Sequence, residues 1–425
     1  MAKFIIQGGQ KLNGKVKISG SKNAALPAFC AALLTDEPVT IKNVPLIGDI
    51  ETLSQIIRLL GAKIDFSDHN AIITSQENIQ SKIDQKSAQQ LRASILLVGP
   101  LLARLGKVFL PHPGGCVIGK RPIDTHLDAF RQMGAKIKKL SDNDYEISAE
   151  KLIGGIVKLK EASVTATENV MMAAALTERK TIIKNAACEP YIIDLAKMLQ
   201  EMGAEISGEG TRTIKIIGPK GILLGSRNKL KGVEHEIIPD ELEAISFALA
   251  AVVTDSEISI ENIHKDNLLP VLKKFSEIGI NYKFNNNQLK ILKSEKIEFF
   301  QVETAPFPGF PTDLQAPFAV LATQAEGKST IWETMYENRF AYVNDLQKMG
   351  AKIKKMSTRK IEIEGPTKLS GKTLESPDIR AGLALVLAAL AADGKSVINN
   401  IELIDRGYED LEKKLRGLGA KIERI

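Results

Sequence analysis

The residues best suited to chemistry lie in Pro113-Gly114-Gly115-Cys116-Val117-Ile118-Gly119-Lys120-Arg121-Pro122-Ile123-Asp124. Three glycines and two prolines argue against regular structure, because Gly admits positive φ and Pro lacks a donor and fixes φ. A single thiol sits among them, with Lys120, Arg121 and Asp124 just downstream. A mobile loop of this kind is built to close on an anionic substrate. The same composition also suits a surface turn with scattered charges. A thiol beside two cations, on a loop rich in free N–H groups, should ionise more readily than an ordinary cysteine.

Further charges recur where apolar segments begin. The starts are Ser21-Lys22-Asn23, Leu91-Arg92-Ala93, Ser163-Val164-Thr165 running into Thr167-Glu168-Asn169, Pro239-Asp240-Glu241, Pro311-Thr312-Asp313 and Ser376-Pro377-Asp378-Ile379-Arg380. Ser, Thr and Asp at such places are also ordinary helix N-caps. Lys22, Arg92 and Arg380 are not caps. A cation at a helix start opposes the dipole, and beside a buried helix it needs an anionic partner. Two more cations stand in loops, in Glu337-Asn338-Arg339-Phe340 and Asp405-Arg406-Gly407-Tyr408-Glu409. With Arg121 they suit a ligand that carries phosphate and carboxylate groups, which helix N-termini also favour.

The elements that must position these residues repeat six times. Leu60-Gly61-Ala62-Lys63-Ile64 returns as Met133-Gly134-Ala135-Lys136-Ile137, Met202-Gly203-Ala204-Glu205-Ile206, Ile278-Gly279-Ile280-Asn281-Tyr282, Met349-Gly350-Ala351-Lys352-Ile353 and Leu418-Gly419-Ala420-Lys421-Ile422. The spacing is about seventy residues, and each Gly follows an amphipathic stretch, so it reads as a helix C-cap leading into a strand. In step with it runs a short strand preceded by an Ala- and Leu-rich helix, expected over Asn23 to Leu34, Gln89 to Arg104, Glu168 to Thr177, Asp240 to Val253, Asp313 to Ala325 and Ile379 to Ala392. These helices are apolar nearly all round and should be buried. The expectation is an α/β protein of two similar domains, three repeats each, with a cleft between them.

Composition excludes several classes. At 425 residues two domains are expected; 44% apolar, 25% charged and a net charge of +6 are ordinary for a globular protein. With 5% aromatic residues and no basic cluster interleaved with stacking side chains, nucleic-acid binding is disfavoured. No apolar run suits a signal peptide or membrane span. Three distant cysteines, Cys30, Cys116 and Cys188, make no disulfide framework, and no Cys or His spacing suits a metal. A cytoplasmic protein without metal or cofactor is expected.

Lys22-Asn23, Pro113-Gly114-Gly115-Cys116-x-Ile118-Gly119-x-Arg121-Pro122-x-Asp124-x-His126, Pro311-Thr312-Asp313, Glu337-Asn338-Arg339-Phe340 and Asp405-Arg406-Gly407-Tyr408-Glu409 resemble the UDP-N-acetylglucosamine 1-carboxyvinyltransferase family. The resemblance spans the chain, and the Cys loop sets it apart from the sister 5-enolpyruvylshikimate-3-phosphate synthases. It implies two inside-out α/β barrels, residues 22–237 forming one domain and residues 1–21 with 238–425 the other. It implies transfer of the enolpyruvyl group of phosphoenolpyruvate to the 3'-hydroxyl of UDP-N-acetylglucosamine, in peptidoglycan synthesis.

By the same resemblance, Cys116 would protonate C3, form a covalent phospholactoyl adduct and be the fosfomycin target. Asp313 would take the hydroxyl proton, and Asn23 would stabilise the tetrahedral intermediate. Lys22, Asn23, Arg121 and Arg406 would hold phosphoenolpyruvate, with Arg92, Arg339 and Arg380 nearby, and Asp378 would couple closure to Arg380. Arg92, Arg121, Pro122, Ile123, Asp124, Thr125, Ser163, Val164, Asp313 and the backbone at Met335 would contact the nucleotide sugar. Four positions depart from the family pattern: Glu161 and Gly48 replace lysines, Thr165 a glycine and Glu241 an arginine. Another acceptor, such as shikimate 3-phosphate or another nucleotide, and a non-catalytic UDP-sugar-binding paralogue are the alternatives.

Overall fold

The computed structural model describes residues 2–76, 78–115, 118–141, 144–219 and 230–425. It divides into two units, one of Gly20–Gly115 and Arg121–Ile238, the other of residues 2–19, 118–120 and 239–425.

In the N-terminal unit the repeat predicted from sequence is present three times. Its core helices are Lys22–Ala31, Val98–Leu105 and Val164–Ala174, and their side chains form one apolar core with the inward faces of three sheets. The sheets run Glu234–Glu236, Val39–Lys42, Asn70–Thr74, Lys63–Ser67; then Lys107–Leu110, Tyr145–Ser148, Lys136–Lys139; then Glu205–Ser207, Thr213–Ile217, Thr181–Lys184, Ile156–Lys158. Strand Ile156–Lys158 pairs parallel with Thr181–Lys184 across a core helix, and the repeat then closes with an antiparallel hairpin. In the first repeat the parallel partner of Val39–Lys42 comes from the unit's end, Glu234–Glu236.

The C-terminal unit is built the same way. Its core helices are Glu241–Val253, Gln315–Ala322 and Ile379–Ala391. From Ile379 to Leu390 every residue is buried, which a helix can only satisfy with neighbours on all sides. Each Leu or Ile so buried contributes roughly 1.5–3 kcal/mol. Residues near the amino terminus belong here: Asn13–Lys17 pairs parallel with Glu257–Glu261, and Lys3–Gln7 lies between Lys395–Asn399 and Lys421–Arg424. The fold class read from the sequence is therefore correct: an α/β protein of six repeats with helices inside and sheets outside.

Two local devices recur. The glycines after the outer helices, Gly61, Gly134, Gly203, Gly279, Gly350 and Gly419, all have φ between 82° and 111°, the left-handed C-cap that a side chain would strain. At the strand ends Asn43, Asn185, Asn262 and Asn400 adopt φ of 56–61°, which Asn tolerates best after Gly. The amides of the first three donate to Ile237 O, Leu159 O and Ile18 O on the parallel partner strand, and that of Asn400 donates to the Glu375 carboxylate.

Helix boundaries depart from the sequence expectation in three places. The third core helix begins at Val164, not Glu168, because the Ser163 hydroxyl accepts the Ala166 N–H and caps it earlier. The second and fifth are interrupted. Each enters through a 3-10 turn, Arg92–Leu97 and Thr312–Leu314, before a helix whose third residue is proline, Pro100 or Pro317. Proline in the first helical turn sacrifices only an N–H that lacks a helical partner.

Candidate functional site

In the N-terminal unit most of the candidate residues gather around the loop after Lys107–Leu110. Cys116 and Val117 lie outside the described residues, so the structure speaks to the loop's two arms. Arg92, at the start of its 3-10 turn, binds both: its guanidinium donates to Pro113 O (3.4 Å), to Arg121 O and to Pro122 O (3.3 Å). Gly114 N–H donates to Ala88 O at 3.0 Å, and a Cβ on Gly114 would meet Gln89 O at 1.5 Å. This glycine is therefore needed for close packing. Arg92 emerges as the loop's anchor, a role its sequence position did not reveal.

Lys22 Nζ pairs with Asp49 Oδ2 at 2.8 Å, both largely buried. Asp49 lies in the first turn of helix Gly48–Leu59, where the macrodipole favours an acid, and it supplies the anionic partner that Lys22 required. Asn23 follows Lys22 on the same helix and is half-buried. Arg121, Pro122 and Ile123 lead into helix Asp124–Gln132, where Ile123 is buried and Asp124 exposed.

Two departures from the family pattern meet the foot of this helix. Thr125 donates to Glu161 Oε1 at 3.2 Å, and His126 Nε2 meets Thr165 Oγ1 at 3.0 Å. Asn169 Nδ2 donates to His126 Nδ1 and to Ile95 O, while its Oδ1 accepts Gly99 N–H. That amide orientation makes Nδ1 the acceptor and assigns the imidazole proton to Nε2. Burial, reinforced by the Arg92 charge, lowers the His126 pKa to about 3, so the ring is neutral. Ser163 is engaged as the helix cap, with Val164 beside it at the helix start.

The C-terminal unit holds a compact ion-pair cluster. Asp313 Oδ1 accepts from Arg339 Nη2 at 2.6 Å, and Oδ2 from Arg380 Nε at 3.3 Å. Arg380 Nη1 also donates to the Tyr408 hydroxyl (2.8 Å), which meets Ser246 Oγ. Burial disfavours the Arg380 charge, but Tyr408, Asp313 and Asp240 outweigh it and push its pKa up. Asp378 caps the helix, accepting Arg380 N–H and Ala381 N–H. Arg339 Nε is buried without a hydrogen-bond partner, a donor available to a ligand. Loop residues 118–120 group with this unit, where Asn338 N–H donates to Ile118 O at 3.0 Å. Arg406 is half-buried at the end of helix Glu402–Asp405.

The loop after Gly327–Trp332 turns on a residue that sequence reading missed. Glu333 is fully buried and accepts from the hydroxyls of Thr304 and Thr312 and from the N–H groups of Met335 and Tyr336. The Met335 N–H is thus occupied, so a backbone contact to a ligand there falls to its carbonyl. The signal was present in the repeat: Glu333 stands where four other repeats carry the left-handed Asn. Asp49 was also missed, having no motif around it.

Cys30 and Cys188 are free and buried; burial raises the pKa of both, helped at Cys30 by Glu168. Among the described residues no group of three or more His, Cys, Asp or Glu side chains could hold a metal, and no helix is long and apolar enough to cross a membrane.

The family model described as EPSP synthase (3-phosphoshikimate 1-carboxyvinyltransferase) matches residues 6–415. UDP-N-acetylglucosamine 1-carboxyvinyltransferase 2 of Carboxydothermus hydrogenoformans is 46% identical over 427 residues, covering all of both chains. UDP-N-acetylglucosamine 1-carboxyvinyltransferase of Treponema denticola is 43% identical, covering 100% of this chain and 99% of its own. In fold, the enolpyruvyl transferase NikO from Streptomyces tendae superposes with a TM-score of 0.88 at 24% identity, covering 100% of this chain and 98% of its own. EPSP synthase of Acinetobacter baumannii superposes at 0.76 and 19% identity, covering both chains fully. The chain belongs to the EPSP synthase family of enolpyruvyl transferases, and within it to the UDP-N-acetylglucosamine 1-carboxyvinyltransferases.

Proposed function

We propose that this chain moves the enolpyruvyl group of phosphoenolpyruvate onto the 3'-hydroxyl of UDP-N-acetylglucosamine and releases phosphate, the first committed step of peptidoglycan synthesis. The observation that carries this reading is full-length identity of 40–46% to proteins bearing that name. In the proposed course Cys116 gives a proton to C3 of phosphoenolpyruvate, which leaves C2 electrophilic. The sugar 3'-oxygen attacks C2 while Asp313 takes its proton. The tetrahedral adduct, steadied by Asn23, then loses phosphate from C2 and a proton from C3, restoring the double bond.

The ion pairs support this assignment. Buried cations without a counter-ion are costly, and here Lys22 rests on Asp49 while Arg339 and Arg380 rest on Asp313. Substrate phosphate or carboxylate, joined by Arg121 and Arg406, would exchange one anion for another at little electrostatic cost. Drawing a cation off Asp313 also makes that carboxylate a better proton acceptor. Arg92 would serve the nucleotide sugar through the loop it anchors. Pro122 to Thr125, Ser163, Val164 and the Met335 carbonyl would line that substrate. The reading places the chain in the cytoplasm, acting on two small anionic substrates.

Purified protein with both substrates should release phosphate and yield a nucleotide heavier by the enolpyruvyl group. Cys116→Ala should lower turnover by about 10²-fold or more and abolish any covalent mass gain from phosphoenolpyruvate. Turnover confined to another acceptor, or undiminished in Cys116→Ala, would overturn the proposal.

A further inference from the structure

One carboxyl group beside Asp313 has no place in that reaction. Glu241 opens the core helix Glu241–Val253, whose start is crowded with three acids. Two are fully employed. Asp240 Oδ1 accepts the N–H groups of Leu242 (2.8 Å) and Glu243 (2.9 Å). The Glu243 carboxylate accepts from Lys414 Nζ at 2.6 Å and from Ser19 N–H at 2.8 Å. Glu241 Oε2, by contrast, is buried without a hydrogen-bond partner.

An ionised oxygen in that position would forfeit its hydration with no donor in exchange, and a buried carboxyl so placed keeps a proton instead. The charged groups around it come from three elements: Asp240 from its own cap, Asp313 from turn Thr312–Leu314, and Arg380 from helix Ile379–Ala391. Two of these are like charges. The one cation is already shared between Asp313 and the Tyr408 hydroxyl. Burial first, then Asp240 and Asp313, raise the Glu241 pKa to about 8 against the pull of its own backbone N–H and of Arg380.

We propose that Glu241 is a positioning residue that remains protonated during turnover and so leaves Arg380 to Asp313 and to the anionic substrate. The proposal rests on the roles given above to Asp313 and Arg380. Loss of its proton to solvent creates a third carboxylate around one guanidinium. That carboxylate competes for Arg380 and lowers the positive potential that an incoming anion meets. Both effects act in the same direction: affinity for phosphoenolpyruvate falls as pH rises through the range in which Glu241 ionises.

The test compares the native chain with Glu241→Gln, whose amide stays neutral, and Glu241→Asp, which still titrates. Between pH 7 and pH 9.5, kcat/KM for phosphoenolpyruvate should fall more steeply in the native chain than in Glu241→Gln, by roughly tenfold; Glu241→Asp should retain the steep fall. Calorimetric binding of phosphoenolpyruvate, which needs no turnover, should show the same contrast. Difference infrared spectra between the two pH values should contain a protonated-carboxyl band that Glu241→Gln removes. Equal alkaline slopes in native and Glu241→Gln protein, or an unchanged band, would overturn the proposal. A native chain that binds phosphoenolpyruvate with the Glu241-dependent slope yet never turns over would overturn the proposed reaction and leave the role of Glu241 standing.

Discussion

The middle repeats of the two units differ from the other four in the same three ways. Their core helices enter through 3-10 turns, carry proline at the third position, and follow through to strands that end without the left-handed Asn. By strand register His112 and Glu333 stand there instead, and each opens a longer loop, running to the helices at Asp124 and Val343. The 3-10 turns present Arg92 and Asp313. Beyond that the two diverge in polarity. The first loop is gathered by a cation that takes its carbonyls, the second by an anion that takes its N–H groups and neighbouring hydroxyls. A loop whose carbonyls are occupied has N–H groups left for anions, whereas one whose N–H groups are occupied has carbonyls left for donors. The corresponding loops of the two middle repeats are thus held by opposite charges from different places in the scaffold, Arg92 at a helix entry and Glu333 at a strand end.

Removing the anion should have the largest effect. Glu333→Ala leaves two hydroxyls and two N–H groups without an acceptor in a fully buried place. A loss of about 3–5 kcal/mol is expected, read as a lower calorimetric Tm. A Tm within a degree of the native value would mean that water replaces the carboxylate, and the contrast between the loops would lose its force.

Removing the cation should cost activity more than stability. Arg92 binds carbonyls of a loop, outside the apolar core, so Arg92→Ala should leave Tm nearly unchanged while kcat/KM falls about 10²-fold. Arg92→Lys, with charge but no fork, should recover only part of that loss. Full recovery in the lysine variant would show that charge, not carbonyl geometry, shapes the loop.

The smallest effect concerns acid. His126 is neutral in the fold, with its pKa held near 3 against an ordinary value of 6.5. Its contribution is complete above about pH 6.5 and is lost as pH falls toward 3, because the unfolded chain takes up a proton that the folded ring refuses. By pH 5.5 the loss should be about 1 kcal/mol. Asn169 cannot turn over to accommodate an imidazolium, since Gly99 N–H fixes its oxygen and Ile95 O its nitrogen. Urea midpoints between pH 7 and 5 should therefore slope less in His126→Asn than in the native chain, and equal slopes would remove His126 from the loop's foundation.

Much of this was legible in the chain itself. The six glycine caps, the strands and the all-apolar helices follow from backbone conformation and short-range periodicity, which neighbouring residues decide. The replacement of Asn by His112 and Glu333 was legible too, though its meaning was not. Local cues also misplaced three helix starts, at Val164 and at the two 3-10 turns, because a Ser cap and two early prolines shift boundaries by a few residues. Only the tertiary structure decided which charge meets which. Lys22 and Asp49, Arg92 and the carbonyls of Pro113 and Pro122, Asp313 with Arg339 and Arg380, and Glu333 with Thr304 and Thr312 lie between 21 and 67 residues apart in the chain. Ion pairs depend on a few ångströms of separation and on burial, and at such sequence distances both are set by how helices and sheets pack.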